Sequence, residues 1–364
     1  MRGFWHGVWL IASIELRQRV RGVAWYVLLG VFMLLLLIVT VLLAITLGAI
    51  APVPGAPTAG PALFSTVIYF VLLLGTLVAP ALSGNAINGD REAGTLATTQ
   101  VTLVTTPQLV LGKFLAAWLT ALAFLAVSVP FLIVAQVFGG VQGSTIGISI
   151  AVLAAELGVV SAVGVGLSGI IRRPLFSVVV TYLVVAALSV GTLIGFALGG
   201  FALQTHHTVH SAYDDGSGVC QVQPDYVDTV PGFDKVWWML AANPYVVLAD
   251  AVPAHYDSSG NPDDLFGSLK FAERGAQIAP VIQTSVSDCS PGTAFVPPPS
   301  AREVIDRTVP SWFVGLLLQF ALAVAALIGA VRLTRAPARR LASGEPHRLS
   351  VRLAPRQLSA PGAP

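Results

Sequence analysis

Residues 24–47 read AWYVLLGVFMLLLLIVTVLLAITL, a run of 24 residues without a charge. At 1.5 Å per residue a helix of that length covers about 36 Å, more than the roughly 30 Å of hydrocarbon in a bilayer. The pattern repeats along the chain. No Asp, Glu, Lys or Arg occurs from Gly22 to Gly89, from Phe114 to Ala155 or from Thr308 to Val331. Six segments pass the length test: Ala24–Leu47, Leu63–Gly84, Leu109–Phe138, Ile146–Ile170, Leu175–Leu203 and Pro310–Val331. Helices are the expected form, because an open strand leaves its backbone unsatisfied in lipid and the alternation of a barrel is missing. The whole 364-residue chain is 55% hydrophobic and 10% charged, which argues against a soluble globule. The net charge of +2, with no basic stripe, argues against a nucleic-acid partner. The reading is an all-α integral membrane fold with membrane lipid as its solvent.

Basic residues set the orientation. With the N-terminus inside, 15 of the 20 Lys and Arg lie on the inner side, and the other five fall in the loop after the fifth segment with 13 of the 18 acids. Both termini are therefore expected in the cytoplasm of a bacterial cell, below its inner (plasma) membrane. High Arg over Lys, 17 against 3, fits a GC-rich bacterial genome. Val236–Val252 is fairly apolar but holds Asn243-Pro244 and Asp250, and a seventh span there would put the C-terminal arginines outside. It reads as an element at the outer interface, a re-entrant one, or a buried helix of the outer domain. Residues 1–22 predict an amphipathic helix along the inner leaflet, with Trp5, Trp9, Ala12, Leu16 and Val20 on one face. The domains follow: 1–22 the surface helix, 23–203 five spans with an inner loop at 85–113, 204–309 an extracytoplasmic insert, 310–333 the sixth span, and 334–364 a basic cytoplasmic tail.

The insert carries both cysteines, and on an oxidising side Cys220 and Cys289 read as a disulfide closing a loop of about 70 residues. A weaker alternative is a metal held by His206, His207 and His210 with Cys220, with two imidazoles at i, i+4 of a helix; no second cysteine lies at short spacing, and the expectation is no metal. Glu156 is the one ionisable residue well inside a span, which marks either a hydrogen-bonded helix contact or a substrate path. There is no nucleotide-binding P-loop, since Phe114 follows Gly112-Lys113 and Pro107 stands where the first glycine belongs. Gly164-x-Gly166-x-x-Gly169 imitates a dinucleotide fingerprint, yet it sits in a membrane segment and predicts close helix packing. No catalytic constellation appears, so the chain is expected not to be an enzyme and to bind no cofactor.

The inner loop is the most ordered connection. It reads Asn85-Ala-Ile-Asn-Gly-Asp90-Arg91-Glu92-Ala-Gly94-Thr95-Leu96, followed by Thr106-Pro107 and Leu111-Gly112-Lys113. Gly94 breaks a helix, Thr95 is placed to cap a short new one toward Leu103, and Thr106-Pro107 predicts the cap and first-turn proline of the third span. In these residues the chain resembles the permease subunits of type-2 ATP-binding-cassette exporters, which have an acidic and basic cluster before Gly-Thr-Leu, then Thr-Pro, then Leu-Gly-Lys. The surface helix and six spans resemble the same family, although its outer re-entrant helices are shorter than this insert. The resemblance implies a permease that pairs with a second one, the same or homologous. Each would dock on a soluble ATPase, in two copies, which binds the ATP and Mg. Asp90, Arg91, Glu92, Gly94, Thr95, Leu96, Thr106 and Pro107 would form the coupling device, and Glu156 a candidate for the substrate path. The outer insert offers a surface for an extracytoplasmic partner. The competing readings are a mechanical or scaffold subunit of such a complex, and a gradient-driven carrier using Glu156.

Overall fold

The computed structural model describes residues 2–49, 59–94, 105–214, 220–257, 259–287 and 299–334. Among these, six helices are long and apolar enough to cross a membrane. Helix α1 (Arg2–Arg21) precedes span 1, α2 (Val23–Ala49). Span 2 is α3 (Ala59–Ser83), continued after a short break by α4 (Ala86–Glu92). Spans 3 and 4 are α5 (Thr106–Val137) and α6 (Gly143–Ile170). Span 5 consists of α7 (Pro174–Ala186), one π-helical turn at Ala187–Gly191, and α8 (Thr192–Ala202). Strands β1 (Thr205–Asp214), β2 (Cys220–Val222) and β3 (Tyr226–Val230) open the insert. Helices α9 (Trp238–Ala241), α10 (Pro244–Ala251) and α11 (Leu265–Gly275), strand β4 (Gln283–Ser287) and helix α12 (Ala301–Arg307) complete it. Span 6 is α13 (Trp312–Thr334). Arg21, Glu92, Thr106, Ile170 and Thr334 thus share one end of the bundle, the basic face, and the insert covers the other.

Span 4 is the axle of this bundle. It meets spans 2, 3 and 6, and its interface with span 6 is the most extensive between any two elements. The glycines that resemble a dinucleotide fingerprint explain how. A Cβ on Gly164 would lie 1.9 Å from Ser83 Oγ of span 2, one on Gly166 would lie 2.5 Å from Ala326 Cβ, and one on Gly169 would lie 2.4 Å from Ala330 Cβ of span 6. Close backbone approach between small residues is what holds helices together where water supplies no hydrophobic drive. The expected packing role of these glycines is what the structure has. Span 5, by contrast, lies on the outside of the bundle and buries only Ser177, Thr181 and Gly200.

The structure corrects several expectations. The fold is mostly helical but not all-α, because the insert contains a sheet. Thr208 and Val209 pair with both β3 and β4, and Ala212 with both β2 and β4. Hence β2 and β3 follow one another antiparallel along one edge of β1, while β4 runs parallel along the other. His206, His207 and His210 lie on β1, where four residues span about 13 Å. The alternative of two imidazoles on one helical turn is therefore overturned, and no metal-binding group occurs among the described residues. The cap of α5 is Thr105, one residue earlier than expected. Its N–H donates to Gln108 Oε1 at 2.8 Å, and Pro107 falls inside the first turn. Helix α1 buries Val8, Ile11 and Ala12 against α5, whereas Trp5 and Trp9 of the expected apolar face are exposed. The exposed Trp5 and Trp9 lie on the side of the helix turned away from the bundle. Thr95, Leu96, Cys289, the stretch running toward Leu103 and the tail beyond Thr334 lie outside the described residues.

Candidate functional site

The loop motif is built into the basic face by two sets of bonds. The first has Lys113 at its centre. Lys113 enters α5 seven residues after Thr106, 2% exposed, and its ammonium contacts Glu15 of α1 and, at 2.9 Å, Asp90 of α4. A single buried cation thus neutralises carboxylates from two different elements, the arrangement a desolvated charge requires. Arg19 extends the set by donating to Thr120 Oγ1 of span 3 and to the Leu82 carbonyl of span 2, both at 3.2 Å. Burial holds the Arg19 guanidinium below its ordinary value, with Glu15 opposing.

The second set joins α4 to the ends of spans 4 and 6. The first turn of a helix has N–H groups without internal partners. In α4 two of these, Ile87 N and Asn88 N, donate to Ser168 Oγ of span 4 at 3.0 and 3.1 Å. In return, Asn88 Nδ2 donates to the Ile171 carbonyl at 2.7 Å, and Arg91 donates to the Gly169 carbonyl at 2.9 Å and the Ser168 carbonyl at 3.3 Å. Arg91 also reaches Thr334 Oγ1 at the end of span 6. Each helix end caps the other. Asp90 and Arg91 are therefore committed inside the molecule, and Glu92 is the exposed member of the triplet. Gly94 follows with φ +68°, a left-handed conformation that stops α4 and that other residues rarely adopt.

A polar layer lies deep between the spans. Helices α9 and α10 meet at Ala242-Asn243, and this corner bonds to spans 2, 5 and 6. The Ala242 carbonyl accepts from Gln319 Nε2 at 3.1 Å, and Gln319 is seven residues, or about 10 Å, below the start of span 6. Asn243 caps α10 by accepting from Tyr245 N at 2.9 Å. Its Nδ2 donates to the Ser189 carbonyl at 2.6 Å and to Thr192 Oγ1 at 2.9 Å. Ser189 lies in the π turn of span 5, where the helical ladder slips by one residue and a carbonyl becomes available to an outside donor. Tyr69 OH of span 2 donates to the Tyr245 carbonyl at 3.2 Å, and Thr76 Oγ1 is 3.4 Å from Tyr245 OH. Glu156, 1% exposed, stands against Gln319, and its Oε1 has no hydrogen-bond partner among the described residues. Glu156 thus faces a neighbouring helix, as one of its two expected roles required.

The base of the insert grips span 6. Asp250 Oδ1 accepts from Arg274 Nε at 2.8 Å and forms an ion pair with Nη2 at 2.7 Å, while Oδ2 accepts from Ser311 N at 2.7 Å and Trp312 N at 3.0 Å. A carboxylate at a helix N-terminus satisfies its open N–H groups and its dipole together. Arg274 also donates to the Thr308 carbonyl at 2.8 Å. Burial pushes the Glu273 carboxyl up and the Lys270 ammonium down in the same cluster. Further out, Asp264 caps α11 by accepting from Gly267 N at 2.6 Å. Burial, with Asp263 adding, pushes its carboxyl up to about 6 against the opposing pull of that hydrogen bond, His255 and Lys270. His255 Nε2 lies 2.9 Å from Thr145 Oγ1, and Leu265 N donates to Ser65 Oγ at 3.1 Å, which tie the insert to spans 4 and 2.

The sequence pointed to Asp90, Arg91 and Glu92 together, but it did not assign Lys113 as the joint between them and α1, nor Glu15 and Arg19 as its partners. The available signal was Lys113 as a lone charge in an apolar helix, with Glu15 and Arg19 at i, i+4 upstream. Comparison with protein-family models gives no match, and comparison with curated protein sequences gives none either.

Proposed function

We propose that the chain is the permease subunit of an ATP-binding-cassette exporter, set in a bacterial inner membrane with both termini in the cytoplasm. It would move an amphipathic substrate outward with ATP and Mg bound by a separate soluble ATPase. The observation that carries this reading is the double bolting of α4. A force applied to the chain beyond Gly94 reaches α1 and span 3 through Lys113, and spans 4 and 6 through Asn88 and Arg91. An isolated connector has no need of the seven hydrogen bonds and ion pairs that tie α4 to its neighbours, whereas a lever does. Glu92 is the exposed charge left for an ATPase surface, and a second permease, the same or homologous, would complete the pathway. The expected Cys220–Cys289 bridge belongs to this oxidising outer placement. Cys220 opens β2, paired with Asp214 of β1.

The test is reconstitution with the cognate ATPase. Glu92→Lys and Gly94→Pro should leave insertion intact, while ATP hydrolysis no longer depends on the presence of substrate. Unchanged coupling in both variants would count against the proposal. The unpartnered Oε1 of Glu156 favours a second reading, a gradient-driven carrier. Substrate movement that follows an imposed proton gradient without ATP, and disappears in Glu156→Gln, would select it.

A further inference from the structure

A groove between spans 3, 4 and 6 starts at the basic face and runs into the bundle in two stretches. The first, of about 340 Å³, has Pro107, Val110, Leu111, Val331 and Arg332 in its lining. The second, of about 380 Å³, has the stacked rings of Phe114 and Trp118 on the span 3 side and Phe320 on the span 6 side. Both include Val324 and Leu327, which makes them continuous. The floor of the deeper stretch is span 4. There Ala151, Ala154, Ala155, Gly158 and Ala162 recur at the spacing of one helix face, and larger side chains at these positions would fill the hollow. Val324 and Ile328 on its rim are 53% and 47% exposed, so the groove is open along its side, where lipid lies.

Length and charge select the occupant. Along span 6 the groove covers the twelve residues from Arg332 to Phe320, about 18 Å of helix, close to the roughly 15 Å of one leaflet's hydrocarbon. Arg332 is the one charged residue in the lining of either stretch. It stands exposed in the last turn of α13 and makes no ion pair or side-chain hydrogen bond with another described residue. Its planar guanidinium is therefore open to a phosphate, which it can hold through two parallel N–H donors. The lining contains no carboxylate to receive the ammonium of a zwitterionic head, so a head with net negative charge fits better. We infer that the groove holds an acyl chain of an anionic phospholipid from the leaflet at the basic face, with the lipid phosphate on Arg332. Such a lipid would fill the space between spans 3 and 6, whose ends Lys113 and Arg91 connect to α4. Its binding requires no ATPase and does not depend on the exporter reading.

The experiment uses the full chain in phosphatidylcholine nanodiscs with a trace of phosphatidylglycerol carrying a photoreactive group near the end of one chain. Phosphatidylethanolamine with the same chains serves for comparison. Labelling should concentrate on peptides containing Ala151–Gly158 and Phe320–Val324. Phosphatidylglycerol should be favoured by about fivefold, the advantage of one basic residue facing an anionic lipid. Arg332→Gln should bring the two lipids to equal labelling, whereas Arg173→Gln, at the same face but outside the lining, should keep the preference. Ala155→Phe and Ala151→Phe, which fill the hollow from its floor, should each remove the labelling. Labelling spread evenly over all spans, a preference that is absent from the unaltered chain or survives Arg332→Gln, or labelling that survives both filling variants overturns the proposal. Labelling that declines as the chain dimerises would assign the groove to a second copy and would overturn it too.

Discussion

Replacing Lys113 by Met keeps the length of the buried stem and removes its charge. The ammonium, 2% exposed, is the common partner of Glu15 and Asp90, whose side chains are 18% and 27% exposed. Removing one member of a buried ion pair costs about 3–5 kcal/mol, because the remaining charge stays desolvated. Both carboxylates here reach some water, so the lower end, about 3 kcal/mol, applies. This cost falls on the docking of α1 and α4 onto span 3 and not on the whole bundle, since the apolar contacts of spans 2, 4 and 6 lie elsewhere. Local opening of α1 and α4 should therefore become about a hundredfold more frequent, at about 1.4 kcal/mol per factor of ten. Hydrogen exchange followed by mass spectrometry on the full chain in nanodiscs reads this directly. Peptides from Val8–Arg19 and Ala86–Glu92 should lose about two decades of protection, while Leu153–Val165 keeps its own. Adding Asp90→Asn should restore part of the protection, because it neutralises the carboxylate left without its cation, while Glu15 keeps Arg19 as a partner. Unaltered exchange in α1 and α4, or a loss of protection spread evenly over the bundle, would refute the assignment of Lys113 as a local joint.

Asn243→Leu removes the donor to the Ser189 carbonyl and the cap of α10, a loss of about 1–3 kcal/mol for the buried acceptor. Limited proteolysis and exchange should show span 5 loosening first, before spans 2 and 4. Gly166→Ala places a methyl 2.5 Å from Ala326 and should destabilise the span 4 to span 6 contact by about 1–3 kcal/mol, whereas Gly147→Ala, which meets nothing within 4 Å, should be neutral or slightly stabilising; thermal unfolding of the two variants separates them. Asp264 gives a pH dependence. Its folded value near 6 lies above the ordinary 3.8, so the folded state binds the proton more tightly and the penalty of about 3 kcal/mol is fully present above pH 6. Protection of α11 should thus rise as pH falls from 7 to 4. Asp264→Asn keeps a side-chain acceptor for the helix cap and should flatten that profile; an undiminished slope in the variant would assign the effect to other groups.

The glycines of span 4 and the residues of the inner loop show how far one-dimensional reading goes. Gly164, Gly166 and Gly169 sit in a charge-free helix, where a small residue has few uses other than close approach, so their role was legible without coordinates. Gly94 was equally legible, since a helix that must stop before Thr95 needs a residue able to take positive φ. Asp90 and Arg91 stood out in the sequence, but their partners within the chain did not. Nothing in their spacing says that a lysine 23 positions later and a threonine at 334 will be their partners, because such pairs are decided by which helix ends converge. The strand at Thr205 was missed for a related reason. Its three histidines have no preferred period of their own, and only pairing with β3 and β4 selects the extended form.

What the sequence alone determined is the number and length of the apolar helices, since the transfer energy of about 20 consecutive side chains outweighs any local preference. It also determined which ends of those helices share a face, because alternation follows from short connections. Only the tertiary structure decided which polar groups meet inside: Lys113 between Glu15 and Asp90, Gln319 against Glu156, Asn243 on the π turn of span 5. Desolvated charges and donors must find partners wherever the packing of whole helices brings them, and that geometry is a property of the assembled bundle.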